Sequence, residues 1–174
     1  MIKTEIYESA LFDTVKRGAT EISPDVKKAF EEAIERESYP DAKKGLIATL
    51  ESMEKSKVLQ NPLCVDTGWP IFYFKVGNSC VLEGGFVELE NAARRAVERA
   101  TKMGYLRATM KHPLTGYDPG NNIGMNIPDF TYQFVEGALS TQVLSCSVVL
   151  QALPALPVAN LSTWLTVLSP TRMR

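Results

Sequence analysis

Apolar residues in the first sixty positions recur three or four apart, a pattern that predicts three helices. Tyr7 and Leu11 share one face of a helix expected over residues 4–18. A second helix is expected to begin after Ser23, because a serine side chain caps free backbone amides. A third is predicted from about residue 41. The three segments together predict a helical region at the start of the chain.

The pattern of apolar and polar residues changes after residue 61, and the segments that follow predict strands and one long helix. Residues 70–76 form an apolar run typical of a buried strand, 79–82 a short second strand, and 130–136 an alternating strand. A helix is predicted over 86–103, and the segment between residues 106 and 128 is rich in Gly, Pro and Asn. This order favours an α+β fold, in which the N-terminal helical hairpin region packs on a small mixed sheet.

Composition and charge narrow the possible partners and the compartment. The 174 residues include 20 acidic and 19 basic side chains, so no large basic surface favours nucleic acid. No apolar segment of about 18 residues runs without polar interruption, so no membrane span is expected. The start of the chain has no apolar signal-peptide core, and a cytoplasmic location is the expectation.

Charge disappears abruptly near the end of the chain. From Gly137 to Thr171 there is no Asp, Glu, Lys or Arg, although all acidic residues and all basic ones except Arg172 and Arg174 precede Gly137. We interpret residues 1–137 as one domain and 138–174 as a divergent tail, either the product of a shifted reading frame or disordered.

The densest cluster of chemical groups is Cys-Val-Asp-Thr-Gly at residues 64–68, just before the first predicted strand. A soft thiolate beside a hard carboxylate suggests a metal ion or an iron–sulfur cluster next to a polar substrate group. The plainer alternatives are a buried cysteine and an ordinary Asp-Thr-Gly turn. Cys80 and Cys146 lie in no comparable motif and are expected to be structural.

Residues 64–68 resemble the Cys-Gln-Asp-Thr-Gly motif of the iron–sulfur hydro-lyases, class I fumarate hydratase and the alpha subunit of L-tartrate dehydratase, with Val65 in place of Gln. Leu-Arg-Ala-Thr at 106–109 and Asn-Ile-Gly-Met-Asn-Ile-Pro at 122–128 resemble that family's arginine segment and its Asn-Thr-Gly-Asp-Asn-x-Pro loop. Ile replaces Thr and Met replaces Asp in the loop, and His112 replaces the usual Asp. The resemblance covers about residues 5–136.

The resemblance implies a [4Fe–4S] cluster held by three cysteines, with its fourth iron open to the substrate. Cys64 would be the first ligand, and the other two cannot be identified in this chain. Asp66 and Arg107 are the implied catalytic residues, Arg107 as a carboxylate clamp. The implied substrate-binding set is Asp66, Thr67, Arg107, Asn122, Gly124 and Asn126.

The activity implied is the reversible hydration or dehydration of a four-carbon dicarboxylate, fumarate and malate or L-tartrate. The implied partner is a beta-type subunit in a homo- or hetero-oligomer, and the chain is expected to be truncated. The alternative is a non-catalytic fragment or partner-binding module. For single residues the plainer roles are a surface charge or helix cap for Arg107 and an exposed loop position for His112.

Overall fold

The computed structural model describes residues 1–63, 69–112, 114–136, 143–151 and 163–168 of the chain. The predicted helices and the strands at 70–76 and 130–136 are confirmed there to within about two residues. None of the described helices has both the length and the apolarity to cross a membrane. In chain order the elements are α1 (Thr4–Thr20), α2 (Pro24–Arg36), α3 (Pro40–Leu59), β1 (Trp69–Gly77), α4 (Gly85–Lys102), β2 (Asp129–Val135), β3 (Val143–Gln151) and β4 (Thr163–Leu168).

The strands form one mixed sheet in the order β2-β1-β3-β4. β1 and β2 are parallel, whereas β1 with β3 and β3 with β4 are antiparallel. α4 lies in the connection between β1 and β2, as a parallel pair requires a crossover. The helices together with this mixed sheet confirm the α+β class.

β1 alternates between the core and the outer face of the sheet. Phe72, Phe74 and Val76 are buried, whereas Tyr73 and Lys75 between them are exposed. Successive side chains of a strand point to opposite faces, so one face of β1 carries the core. That face joins one apolar cluster with buried side chains of α1 and α4.

Aromatic rings join β2 to β1. Phe72 lies opposite Phe130 and Phe74 opposite Tyr132 in the parallel register, with ring centroids 5.8 and 5.3 Å apart. Phe86 of α4 meets Tyr132 edge-on at 5.8 Å. Aromatic pairs on one sheet face stabilise the neighbouring strands, so these contacts fix β2 against β1 and α4.

α1 is the N-terminal helix that lies against the sheet, beside β3 and β4, and it also packs on α4. Ala92, Ala93, Ala96 and Ala100 of α4 are all buried, and such small side chains allow close packing of α4 in the core. At the exposed rim, Arg95 Nη2 lies 2.7 Å from Glu8 Oε2. The pair ties the two helices together outside the core.

α2 and α3 form a hairpin that is only half-buried. α2 contains no buried residue, and its Phe30 and the Leu50 of α3 are intermediate in exposure. α2 packs mainly on α3, and α3 reaches α1. Lys57 Nζ lies 3.3 Å from Glu21 Oε2, an ion pair that links the end of α3 to the end of α1.

The short strand predicted at 79–82 is wrong. Leu82 forms a single parallel bridge with Ile2, supported by bonds from Ile2 N–H to the Val81 carbonyl and from Glu83 N–H to the Ile2 carbonyl. The segment therefore binds the N-terminus of the chain and does not extend the sheet. Tyr7 Oη donates to the Glu83 carbonyl at 2.8 Å and adds to this attachment.

The tail contains two strands that no pattern had led us to expect. β3 pairs along nearly the whole of β1, and β4 pairs along most of β3. Uncharged, apolar and β-branched segments are suited to such pairing. Segments 137–142, 152–162 and 169–174 lie outside the described residues, so the interpretation of 138–174 as a divergent tail stays a prediction.

Candidate functional site

β1 and β2 begin at the same end of the sheet. Ile71 lies opposite Asp129 in the parallel register. Trp69, which begins β1, directly follows the Cys-Val-Asp-Thr-Gly motif in sequence, and Pro128 directly precedes β2. Parallel strands start at one end, so the loop at 122–128 enters the sheet beside the start of β1.

Cys64, Asp66 and Thr67 lie outside the described residues, and their predicted roles stay predictions. The residues on either side of the motif are described. Leu63 N–H donates to the Ala19 carbonyl near the end of α1 at 2.9 Å. Trp69 starts β1 on the other side. Leu63 is thus attached to α1, and Trp69 belongs to the sheet.

α4 ends beside the same end of the sheet. Tyr132 Oη donates to Glu90 at 3.0 Å, and one turn later the Arg94 guanidinium lies 5.0 Å from the centroid of the Phe130 ring. Moving forward along α4 therefore means moving backward along β2. Thr101, in the last turn of α4, accordingly lies near the loop that leads into β2.

Asn122 is buried in this loop and makes three hydrogen bonds. Its Oδ1 accepts from Thr109 N–H at 3.1 Å, and its Nδ2 donates to the Arg107 carbonyl at 2.7 Å and to Thr101 Oγ1 at 3.1 Å. Only 1% of its surface is exposed. Both amide hydrogens of this predicted substrate ligand are thus used within the protein.

Gly124 and Asn126 lie in a tight turn of the loop that leads from α4 into β2. Gly124 and Ile127 exchange backbone hydrogen bonds of 3.0 and 3.2 Å, with Met125 and Asn126 at the corner. Asn126 adopts a left-handed φ of 58°, which asparagine tolerates better than most residues. A Cβ on Gly124 would lie 2.8 Å from Met110 Sδ, so glycine permits this close approach.

Arg107 and Asn126 are both exposed, whereas Asn122 behind them is buried. Arg107 directly follows buried Leu106, which anchors its backbone in the core. The described part of the site therefore has a guanidinium and an asparagine corner at the surface, carried on a loop that the core holds.

His112 is the only histidine, and its Nδ1 accepts from the backbone N–H groups of Leu114 and Thr115 at 3.3 and 3.2 Å. The backbone N–H of His112 donates to the Tyr117 carbonyl at 2.8 Å. The Nδ1 atom is therefore engaged within its own turn. His112 thus holds a turn at the surface, in agreement with its expected exposure.

The described cysteines lie away from this end of the sheet. Cys80 is in the turn that follows β1, where its N–H donates to the Gly77 carbonyl and burial raises the pKa of its thiol. Cys146 lies opposite Phe74, about 16 Å along β1 from Trp69. The described residues contain no group of three His, Cys, Asp or Glu able to hold a metal ion.

No sequence pattern singled out Thr101 or Met110, and Thr109 was named only as part of the arginine segment at 106–109. Thr101 Oγ1 donates to Val97 O at 2.9 Å and contacts the Asn121 carbonyl at 3.4 Å, besides its bond to Asn122. A threonine in the last turn of a helix is unremarkable in sequence. Only the fold shows that it faces the loop.

The fold is an α+β domain in which two adjoining parallel strands begin at one end of the sheet. Residues 8–147 match the family model described as fumarate hydratase (Fumerase). The chain belongs to this family. The matched region extends ten residues beyond Gly137, although the resemblance was expected to end at about residue 136.

Individual relatives agree with this assignment. A protein of Methanocaldococcus jannaschii, provisionally named L(+)-tartrate dehydratase subunit alpha, is 33% identical over 121 residues, 70% of this chain and 42% of that protein. A Geobacillus stearothermophilus protein, provisionally named fumarate hydratase class I, is 29% identical over 125 residues, 71% of this chain and 23% of its own. The L(+)-tartrate dehydratase subunit alpha of Escherichia coli K12 is 33% identical over 85 residues, 49% of this chain and 27% of its own. The chain thus spans less than half the length of these relatives.

Proposed function

We propose that this chain forms part of the active site of a hydro-lyase acting on a four-carbon dicarboxylate, fumarate and malate or L-tartrate. The observation that carries the proposal is the parallel register of β1 and β2, which directs the segments before both strands to one end of the sheet. Hydration adds a proton to one carbon of the double bond and a hydroxyl to the other, and dehydration reverses this.

Arg107 is the residue proposed to bind a substrate carboxylate. A guanidinium donates two parallel hydrogen bonds to a carboxylate and so fixes its orientation as well as its position. Arg107 is exposed at the surface of the loop. Gly124 and Asn126 would shape the adjoining wall, and Asp66 and Thr67 are proposed to approach from the start of β1.

The iron–sulfur cluster implied by the resemblance does not fit the cysteines of this chain by themselves. Three thiolates are needed, whereas Cys80 follows the far end of β1 and Cys146 lies beside its middle. We therefore propose Cys64 as one ligand of the cluster, with the other two lying outside this chain. When bound, the cluster would supply an iron that polarises the leaving hydroxyl.

The name "subunit alpha" of two relatives supports a two-chain arrangement. We propose a beta-type subunit of the family as the partner of this chain. That subunit would complete the substrate site and bring the missing polar contacts. The same requirement explains why the chain alone is not expected to turn over substrate.

The test is anaerobic reconstitution of the full chain with iron and sulfide, alone and with a beta-type subunit of the family, followed by assays of fumarate hydration and L-tartrate dehydration. We expect turnover of one substrate only in the mixture. Cys64→Ser and Arg107→Ala should each abolish it, and Cys80→Ser, at the far end of β1, should retain it. A stable complex without turnover of either substrate would favour the partner-binding module.

A further inference from the structure

The loop that leads into β2 is held by the pair Thr101 and Asn122, of which Asn122 is buried. Thr101 Oγ1 accepts from Asn122 Nδ2 at 3.1 Å, and Thr101 lies in the last turn of α4. α4 is held by a cluster of fully buried alanines, so the hydroxyl of Thr101 has a well-fixed position. Asn122 is thereby connected to a helix that is packed in the core.

Asn122 passes this fixed position on to the arginine segment. Its amide donates to the Arg107 carbonyl at 2.7 Å, and its Oδ1 accepts from Thr109 N–H at 3.1 Å. The two bonds bracket Ala108 and fix the backbone on both sides of it. The Asn122 side chain is 1% exposed, so a solute cannot reach it without displacing protein.

We infer that Asn122, together with Thr101, is a positioning residue for Arg107 and does not itself touch substrate. The inference rests on the proposed function, since it assigns Arg107 as the carboxylate ligand. An arginine on a loosely held segment would lose part of its affinity in ordering the backbone. The Thr101–Asn122 pair removes that cost before the dicarboxylate binds.

The binding test uses L-malate and the full chain, with affinity measured by calorimetry or NMR titration. Asn122→Asp tolerates the left-handed φ of 57° and still accepts from Thr109 N–H, but it replaces the donor with an oxygen facing the Arg107 carbonyl. We expect malate affinity to fall about tenfold in this variant. In an Arg107→Ala background the same change should have no further effect.

Substitutions at Thr101 distinguish loss of the hydrogen bond to Asn122 from a general loss of helix stability. Thr101→Val should weaken malate binding about fivefold, while Thr101→Ser, which keeps the hydroxyl, should bind like the unmodified chain. Thr14→Val is the matched control, because buried Thr14 donates only to the Ala10 carbonyl of its own helix. It should leave malate affinity unchanged despite losing a similar bond.

Asn122→Asp weakening binding equally with and without Arg107 would overturn the inference, because Asn122 would then act on malate directly. An unchanged affinity in Asn122→Asp would overturn it as well. If the unmodified chain does not bind malate, the proposed function fails and the positioning role fails with it.

Hydrogen exchange at the Thr109 amide then decides separately whether the contact exists. It should speed up at least about tenfold in Asn122→Gly and stay unchanged in Gln60→Gly, a left-handed position outside the site. Unchanged Thr109 exchange in Asn122→Gly would overturn the contact itself.

Discussion

Ile71 of β1 lies directly opposite Asp129 of β2, and the two strands run in the same direction. The chain segments that enter these strands therefore start from one end of the sheet. One segment carries the thiol and carboxylate motif, and the other carries the loop that contains Asn122 and Gly124. Two motifs separated by about fifty residues in sequence thereby become candidates for a single site.

Replacing Arg107 should weaken dicarboxylate binding through loss of its charge and its forked geometry. We expect Arg107→Ala to bind L-malate about 10- to 100-fold more weakly, and Arg107→Lys to fall between this variant and the unmodified chain. Calorimetric titration measures both. Arg36→Ala, at the exposed end of α2, is the control and should bind normally. Normal binding by Arg107→Ala would remove the arginine from the site.

Adding even a methyl group at Gly124 should destabilise the folded chain. In Gly124→Ala the new Cβ would lie 2.8 Å from Met110 Sδ, and Met110 is buried, so we expect a loss of about 1–2 kcal/mol in the free energy of unfolding. Urea denaturation measures this loss. In a Met110→Ala background the same substitution should cost much less.

Gly45→Ala provides the opposite control. Gly45 lies within α3, and a Cβ there would meet nothing within 4 Å. Alanine favours the helix over glycine by about 1 kcal/mol, so this variant should be more stable than the unmodified chain. Destabilisation of similar size in both alanine variants would contradict the close approach proposed for Gly124.

The ion pair between α1 and α4 should make stability depend on pH. The hydrogen bond from Arg95 lowers the pKa of Glu8 below its ordinary value of 4.5. A lowered carboxyl pKa stabilises the folded state above the unfolded pKa, and this contribution is lost as the pH falls through the folded pKa. The loss should therefore occur below about pH 4.5.

Urea denaturation at a series of pH values checks this dependence. Glu8→Gln should lose about 1 kcal/mol or less at neutral pH, since the pair is partly exposed. Its stability should also fall less steeply below about pH 4.5 than that of the unmodified chain. Identical acid profiles for the two proteins would show that the pair contributes nothing.

The helices were predictable because their apolar positions recur on one face. Tyr7 and Leu11 follow this rule and are buried in the core. The apolar run of β1 and the alternation of β2 marked both strands correctly. The bridge between Ile2 and Leu82 had no local sequence signal, because the two residues lie eighty positions apart in the chain.

The loop residues were recognised by resemblance, but their individual roles were not predictable. Asn122 and Asn126 look equivalent in sequence, and both adopt left-handed backbone. One is buried with three partners and the other is exposed at a corner. Burial depends on where α4 ends, and the sequence analysis could not show that Thr101 faces the loop.

The most direct test of the proposed dicarboxylate site is an NMR titration of the isotope-labelled full chain with L-malate. We expect the backbone amide signals of Trp69, at the start of β1, and of Arg107 and Gly124, in the segment between α4 and β2, to shift together with one affinity. Signals of Cys80 and Glu83, beyond the other end of β1, should stay in place. Shifts confined to that opposite end, or no shifts at saturating malate, would contradict a dicarboxylate site at the starts of β1 and β2.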